Sequence, residues 1–314
     1  MDFVRSLRTL VRVVDAGSFI RAAEQLDTSN AAVTRQIAAL EKHLGARLLH
    51  RTTRKISLTS SGEVFIEKAR KILDEVAEAE SLASAEPSGV LRVSAPFTFG
   101  VAHLSRLLPA FRSRYPKLRL DIDLSERMVD LVVEGIDVAL RITREPSPHL
   151  VARPIALVDL VLCASPMYLK KRGMPKHPGE LSRHETLAYS YLAAGDSWEF
   201  SRDGGEPMAV RIQPSVHSTN GELLRELALS GGGIIMEPAI LVARDLMRGT
   251  LVQLLPEWKA PALTLHVVYL NQRQLAPKVR AFIDYLVEAI GPHPYWENWK
   301  KPLSRARKVR PRSA

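Results

Sequence analysis

One cysteine, Cys163, stands in the 314 residues of the chain. A single thiol excludes an intramolecular disulfide and every cysteine-rich metal site. Its side chain reads more naturally as a small buried apolar group than as a reactive one. No apolar run approaches membrane-spanning length. Arg5, Arg8, Arg12 and Asp15 interrupt the N-terminal segment where a signal peptide would need an apolar core. A cytoplasmic protein in a reducing setting, without membrane contact, is the expectation. Enzyme signatures are missing too: there is no GxSxG elbow, no P-loop, no GxGxxG after a strand and no HExxH. Gly231-Gly232-Gly233 lacks the spacing of a phosphate cradle, and the nine histidines fall at no local metal-ligand spacing. No catalytic residue, metal ligand or cofactor is therefore assigned, and an α/β enzyme is kept only as a rival reading.

What is present in excess is positive charge, and it is unevenly placed. Of the net charge of +10, residues 1–60 carry +5 and residues 300–314 carry +7, which leaves −2 on the body between them. A basic N-terminal module on a near-neutral body suits nucleic-acid binding by one part and a different task for the rest. With 46% apolar residues the chain can bury a substantial core, and its length suggests two or three domains.

The N-terminal module reads as a helix-turn-helix. Residues 2–15 carry Phe3, Leu7, Leu10, Val11 and Val14 at helical spacing. Gly17 ends that helix and Ser18 caps the next, which holds Phe19, Ala22, Ala23 and Leu26 on one face. Asp27-Thr28-Ser29 breaks the chain. In the helix that follows, Val33, Ile37, Leu40 and Leu44 form the buried stripe, while Asn30, Thr34 and Arg35 project elsewhere. Those residue types hydrogen-bond base edges and phosphates, as a recognition helix in a major groove must. An ordinary helical hairpin with a solvated face is the alternative. Two short strands, residues 48–51 and 56–58, around Thr52-Thr53-Arg54-Lys55 then read as a wing whose Arg51, Arg54 and Lys55 reach phosphates or a minor groove.

Ser60 and Glu63 have the spacing of a capping box. The helix they open runs to about Ser84, with Phe65, Ala69, Ile72, Val76, Ala79 and Ala83 at heptad spacing, roughly 30 Å of rod. The expectation is a dimerisation helix; a helix packed on its own domain is the alternative. Glu86-Pro87-Ser88-Gly89 is a hinge. Beyond it strands and helices alternate, with strands at 90–95, 118–124, 136–142, 157–164, 186–190, 216–219, 233–236 and 263–269. An antiparallel hairpin, residues 198–200 and 210–212, interrupts them. This is α/β architecture with mostly parallel sheets. The last residues, with Pro302, Pro311 and seven cations, read as a disordered tail. Arg305–Arg312 in it either add non-specific DNA affinity or are a solvated appendage.

In this order the elements resemble a LysR-type transcriptional regulator, up to about residue 297. The resemblance is carried by Ala22-Ala23, Ala32-Val33-Thr34-Arg35-Gln36-Ile37, Leu40-Glu41, Leu44-Gly45, Leu48-Leu49, Arg51, Leu58-Thr59 and Gly62. Tyr115-Pro116, Asp137–Arg141 and Gly231–Gly233 with Pro238 match more loosely. Two positions depart from the family pattern. Asn30-Ala31 stands where Gln-Pro is common, and Asn still supports a bidentate contact with adenine. Glu237-Pro238 stands where Leu-Pro is usual, placing an acid near the expected cleft.

The resemblance implies an N-terminal all-α winged helix-turn-helix (1–59), a linker and dimerisation helix with hinge (60–87), and a two-lobed α/β effector domain like a periplasmic solute-binding protein (88–297). Lobe I would be 88–162 with 268–297, lobe II 163–267, and residues 298–314 the tail. DNA would be met by Ser29, Asn30, Ala31, Thr34, Arg35, Arg51, Thr52 and Arg54. A small effector, a carboxylate or an aromatic compound, would sit between the lobes near Thr98, Ser125, Glu126, Arg141, Thr219 and Asn220. Arg141 is the residue expected to hold a carboxylate, with a structural pair to Glu126 as its alternative. The other implied partners are a second copy, then a pair of dimers, and RNA polymerase. Sensing through Cys163 is a further alternative within the family.

Overall fold

The structure is a computed structural model. It describes residues 1–51, 56–84, 86–127, 129–191, 195–202, 205–271, 275–291, 294, 296 and 297. The expected tail and most of the wing tip, including Thr52, Arg54 and Lys55, lie outside the described residues. Contacts divide the chain into two compact units, residues 1–90 with Ala276–Lys278, and Leu91–Leu275 with the residues from Val279 onward.

The first unit holds α1 (Phe3–Ala16), α2 (Phe19–Gln25), α3 (Asn30–Leu44), β1 (Leu49–Arg51), β2 (Ile56–Leu58) and α4 (Ser60–Ser84). Local chemistry sets each boundary. Asp2, Ser18 and Ser29 accept from the backbone N–H of Arg5, Arg21 and Ala32, which satisfies orphan donors at three helix starts. Gly17 and Gly45 take left-handed caps at φ 59° and 65°, where a side chain would be strained. Asp27 at φ 50° makes the turn between α2 and α3. Leu7, Leu10, Val13, Ala22, Val33, Ile37 and Leu40 are fully buried in one core. β1 and β2 pair antiparallel, Leu49 opposite Leu58.

The second unit is two five-stranded sheets. Its elements run β3 (Gly89–Ala95), α5 (Phe97–Phe99), a π-helical turn (Gly100–Leu104), α6 (Ser105–Arg114), β4 (Leu118–Leu124), β5 (Val138–Thr143), β6 (Val151–Val158), β7 (Leu160–Ala164), α7 (Pro166–Arg172), a 3₁₀ segment (Pro178–Arg183) and β8 (Thr186–Tyr189). They continue through β9 (Ser197–Phe200), β10 (Met208–Arg211), β11 (Pro214–Ser218), α8 (Gly221–Leu229), β12 (Ile234–Pro238), α9 (Ala239–Arg248), β13 (Val252–Gln253), β14 (Leu263–Tyr269) and α10 (Pro277–Ile290). One sheet has the order β4-β3-β5-β14-β6, the other β11-β8-β12-β7-β13. β9 and β10 form the expected hairpin, with Trp198 and Phe200 buried against the second sheet.

Two expectations need correction. The sheets are mixed: β3/β5, β8/β11 and β8/β12 are parallel, whereas β5/β14, β6/β14, β7/β12 and β7/β13 are antiparallel. The antiparallel strands β7 and β14 are those by which the chain passes from one sheet to the other. The expected strand 157–164 is two strands in different sheets, broken at Asp159, whose carbonyl accepts from Ala239 N at 2.7 Å. An apolar run reads alike whether one buried strand or two, so its pattern could not locate the break. The crossings therefore fall at Asp159 and within 254–262, a few residues ahead of the lobe boundaries expected at 162/163 and 267/268.

Candidate DNA interface and ligand cavity

The first unit presents the N-terminal turn of α3 to solvent. Ser29, Asn30, Ala31 and Arg35 are exposed and Thr34 is half-buried, while Val33 and Ile37 on the opposite face are fully buried. Ser29 spends its hydroxyl on the cap. Gln36, next to Arg35, turns inward and meets the Thr9 hydroxyl at 3.0 Å. Arg51 is the last residue of β1.

Behind α3, one junction ties helix, wing and linker together. Glu41 Oε1 accepts from Leu48 N at 2.9 Å and Leu49 N at 3.2 Å. Leu48 O accepts from Thr59 N at 3.0 Å. Thr59 donates its hydroxyl to Arg47 O at 2.7 Å and accepts from Gly62 N at 3.0 Å. Gly62 packs so tightly that a Cβ there would lie 2.1 Å from Leu48 O. Glu41, Leu48, Thr59 and Gly62 are all among the residues that carry the family resemblance, and this junction gives each a physical reason.

The seam of α4 divides in two. Phe65 and Ala69 pack into the first unit's own core, Ala69 with no exposure at all. They are covered within the chain, contrary to their expected place in a dimer seam, because α4 closes over α1. Further along, Ile72 and Ala79 are exposed and Val76 half-buried, and Ala83 is exposed. That distal half keeps the heptad spacing, with three of its four positions exposed.

In the second unit a cavity of about 900 Å³ is lined by both sheets. Four expected residues, Thr98, Ser125, Glu126 and Arg141, line it. Thr219 and Asn220 are not among its lining residues: Thr219 is exposed, and Asn220 caps α8 by accepting from Leu223 N at 3.1 Å. The neighbouring Gly221 lines the cavity in their place. Arg141 does not pair with Glu126. Its guanidinium donates to Leu140 O, Ser94 Oγ and Arg127 O at 2.6, 3.0 and 3.3 Å. Burial lowers its pKa against the opposing pull of Glu126, Asp123 and Glu134. Glu126 instead accepts from Phe97 N at 3.0 Å and from the Tyr189 hydroxyl at 3.2 Å. Burial and the Glu126 charge raise the Tyr189 phenol.

The acid expected near the cleft is there. Glu237, at the end of β12, is 2% exposed, lines the cavity, and has no hydrogen-bond partner for Oε1 among the described residues. Burial, with the charges of Glu126 and Glu222 adding to it, pushes its carboxyl up to about 8. Tyr189 and Met236 also line the cavity and carried no signal in the sequence beyond lying in strands. Cys163 is fully buried in β7, and burial raises its thiol far above the reactive range. Among the described residues no cluster of metal ligands occurs, and no helix is long and apolar enough to cross a membrane.

Two family descriptions match the chain: a bacterial regulatory helix-turn-helix protein of the lysR family over residues 4–63, and a LysR substrate binding domain over residues 84–291. The transcriptional regulator CrgA of Neisseria meningitidis serogroup C is 38% identical, across 91% of this chain and 96% of CrgA. The regulator DmlR of Escherichia coli K12 is 34% identical, across 93% of this chain and 96% of DmlR. Among solved structures, that of CrgA from Neisseria meningitidis aligns with a TM-score of 0.59 at 36% identity, over 91% of this chain and 98% of that one. The full-length virulence activator AphB of Vibrio cholerae aligns with a TM-score of 0.58 at 29% identity over the same shares. With both halves matched and the winged helix-turn-helix and two-lobed α/β body in place, the chain belongs to the LysR family of DNA-binding transcriptional regulators.

Proposed function

We propose that this regulator reads its operator with the exposed turn of α3 and responds to a small molecule held in the cavity between the two sheets of its second unit. Asn30 and Thr34 carry base discrimination, and Arg35 and Arg51 contribute phosphate affinity that varies little with sequence. Two copies pair through the distal half of α4, where the exposed Ile72, Ala79 and Ala83 and the half-buried Val76 form an apolar stripe of heptad spacing. Ligand binding biases the separation of the two sheets and so the placement of the paired DNA modules. The observation that carries the ligand-responsive half is the cavity of about 900 Å³ itself, apolar-walled and lined from both sheets by convergent polar groups.

The test is a selection of fragmented genomic DNA by the purified full chain, followed by a footprint on the recovered site. Wild type is expected to protect one or two patches, and an Asn30→Ala/Thr34→Ala variant to lose that protection while still binding random DNA. Equal binding of both proteins to selected and random DNA would overturn the assigned roles. Ile72→Asp is expected to yield monomer in sedimentation, and an unchanged dimer would remove α4 from the interface.

A further inference from the structure

The charged groups around the cavity are unequally committed. Arg127 pairs with Glu134 at 2.6 Å and Arg144 with Glu199 at 3.2 Å. Arg141 spends three of its five N–H donors on Leu140 O, Ser94 Oγ and Arg127 O. An anion entering the cavity would meet cations that are already partly committed to protein acceptors. The carboxyls are in the opposite situation. Glu237 is all but fully buried with an unpartnered Oε1, a configuration that is costly unless something arrives to satisfy it. Glu126, from the other sheet's side, accepts from two neutral donors and, among the described residues, from no cation.

We infer, taking the cavity as the ligand site proposed above, that it accepts an organic amine, with a protonated nitrogen between Glu237 and Glu126 and an apolar body against Phe99, Leu160 and Met236. The acid at residue 237 is then the specificity determinant. Burial keeps Glu237 neutral below about pH 8, and the cation seats as Glu237 releases its proton to solvent. The ionisable groups facing Glu237 are Glu126 beyond β4, Tyr189 on β8, Glu222 on α8 and Cys163 on β7. None is a cation that would hold the carboxylate in a ligand's absence. Affinity for an amine should therefore rise by close to a factor of about ten per pH unit between pH 5.5 and 7.5, while the amine stays protonated throughout.

Three size-matched probes separate the outcomes: phenethylamine, 2-phenylethanol and phenylacetate, titrated calorimetrically into the full chain. Phenethylamine is expected to bind best and with proton release. Glu237→Gln, whose fold is checked by thermal unfolding, should weaken it about ten- to hundredfold and flatten its pH dependence. Glu126→Gln should weaken it less, because Glu126 keeps its two protein donors. Phenylacetate binding in preference, and lost in Thr98→Trp, which places bulk in the cavity, would overturn the amine while leaving the cavity as ligand site. Phenethylamine binding that ignores both Glu237→Gln and Thr98→Trp would move the ligand out of the cavity and overturn both. Absence of phenethylamine binding at about 10 mM, roughly the weak limit of calorimetry, overturns the amine assignment.

Discussion

Replacing Gly62 by alanine tests the junction that ties α3, the wing and α4. A Cβ at this position lies 2.1 Å from Leu48 O and 3.1 Å from Leu58 Cδ2. The carbonyl must retreat by about 1 Å to reach ordinary contact, and it is not free to move. Its oxygen accepts from Thr59 N, while the N–H groups of Leu48 and Leu49 are held by Glu41 Oε1. Leu48 and Leu49 are themselves buried, so the displacement either breaks those bonds or strains the core. Overpacking of this kind costs about 3 kcal/mol, the upper end of its usual range because the obstructing atom is backbone. For a unit of this size that corresponds to a fall of roughly 15 °C in the unfolding midpoint. Because β1 shifts relative to α3, operator affinity should fall more than affinity for random DNA. The assays are thermal unfolding of the full chain and fluorescence anisotropy on selected and random duplexes. A midpoint within about 2 °C of wild type, with operator affinity unchanged, would refute the account of the junction.

The Cys163 thiol should resist Ellman's reagent in the native chain and react only on unfolding, and Cys163→Ser should leave operator binding and peroxide sensitivity unchanged; a peroxide-dependent footprint lost in that variant would restore the thiol sensor. Asp245 is buried and accepts from Arg225 Nε at 2.6 Å and the Thr250 hydroxyl at 3.0 Å. Asp245→Ala should cost about 2–3 kcal/mol by urea unfolding, moderated because Arg225 retains Glu222 and Glu226, and a loss below about 0.5 kcal/mol would count against the pair. Arg35→Ala should lower the salt slope of binding by about one on every sequence, and a loss confined to the operator would make Arg35 a base reader instead.

The first unit was legible because its signals are local. Ser18, Ser29, Gly17 and Gly45 act within a turn of where they stand, and the buried stripe of α3 repeats inside one helix. The second unit was legible in its element types and much less in its connections. Leu157–Ala164 looks like one strand because the run is apolar on both sides of Asp159, and only Asp159 marks the crossing. The strand Val151–Val158 escaped notice because Arg153 and Pro154 blur its alternation. The same limit governs the site. Thr98, Ser125 and Glu126 follow strands that end at the cavity, and Arg141 lies within a third such strand, so position along the chain located them. Whether a charged side chain is free or committed depends on partners remote in sequence. Arg141 reads in the sequence as an anion ligand, yet Ser94, Arg127 and Leu140 take three of its donors; Glu237 reads as an acid near the cleft, but only the structure shows its Oε1 without a partner among the described residues.

That asymmetry has a consequence for the ligand-free protein. A carboxyl raised to about 8 in the folded state but near its ordinary value when unfolded binds its proton more tightly in the native chain. Between those two values the native state carries more protons than the unfolded one, so stability falls as pH rises through the window and the proton is lost. The contribution is fully paid out only above the folded value, where the native carboxylate is buried, unpaired and faced by Glu126 and Glu222. Glu237→Gln removes the titration while keeping the side chain's size. Urea unfolding of the second unit should then find wild type and variant converging near pH 5 and the variant gaining steadily toward pH 8.5, by an amount of order 3 kcal/mol. A variant less stable than wild type at the alkaline end would mean that the folded protein holds Glu237 as a paired carboxylate. An unpartnered acid beside the cavity would then no longer explain its place there.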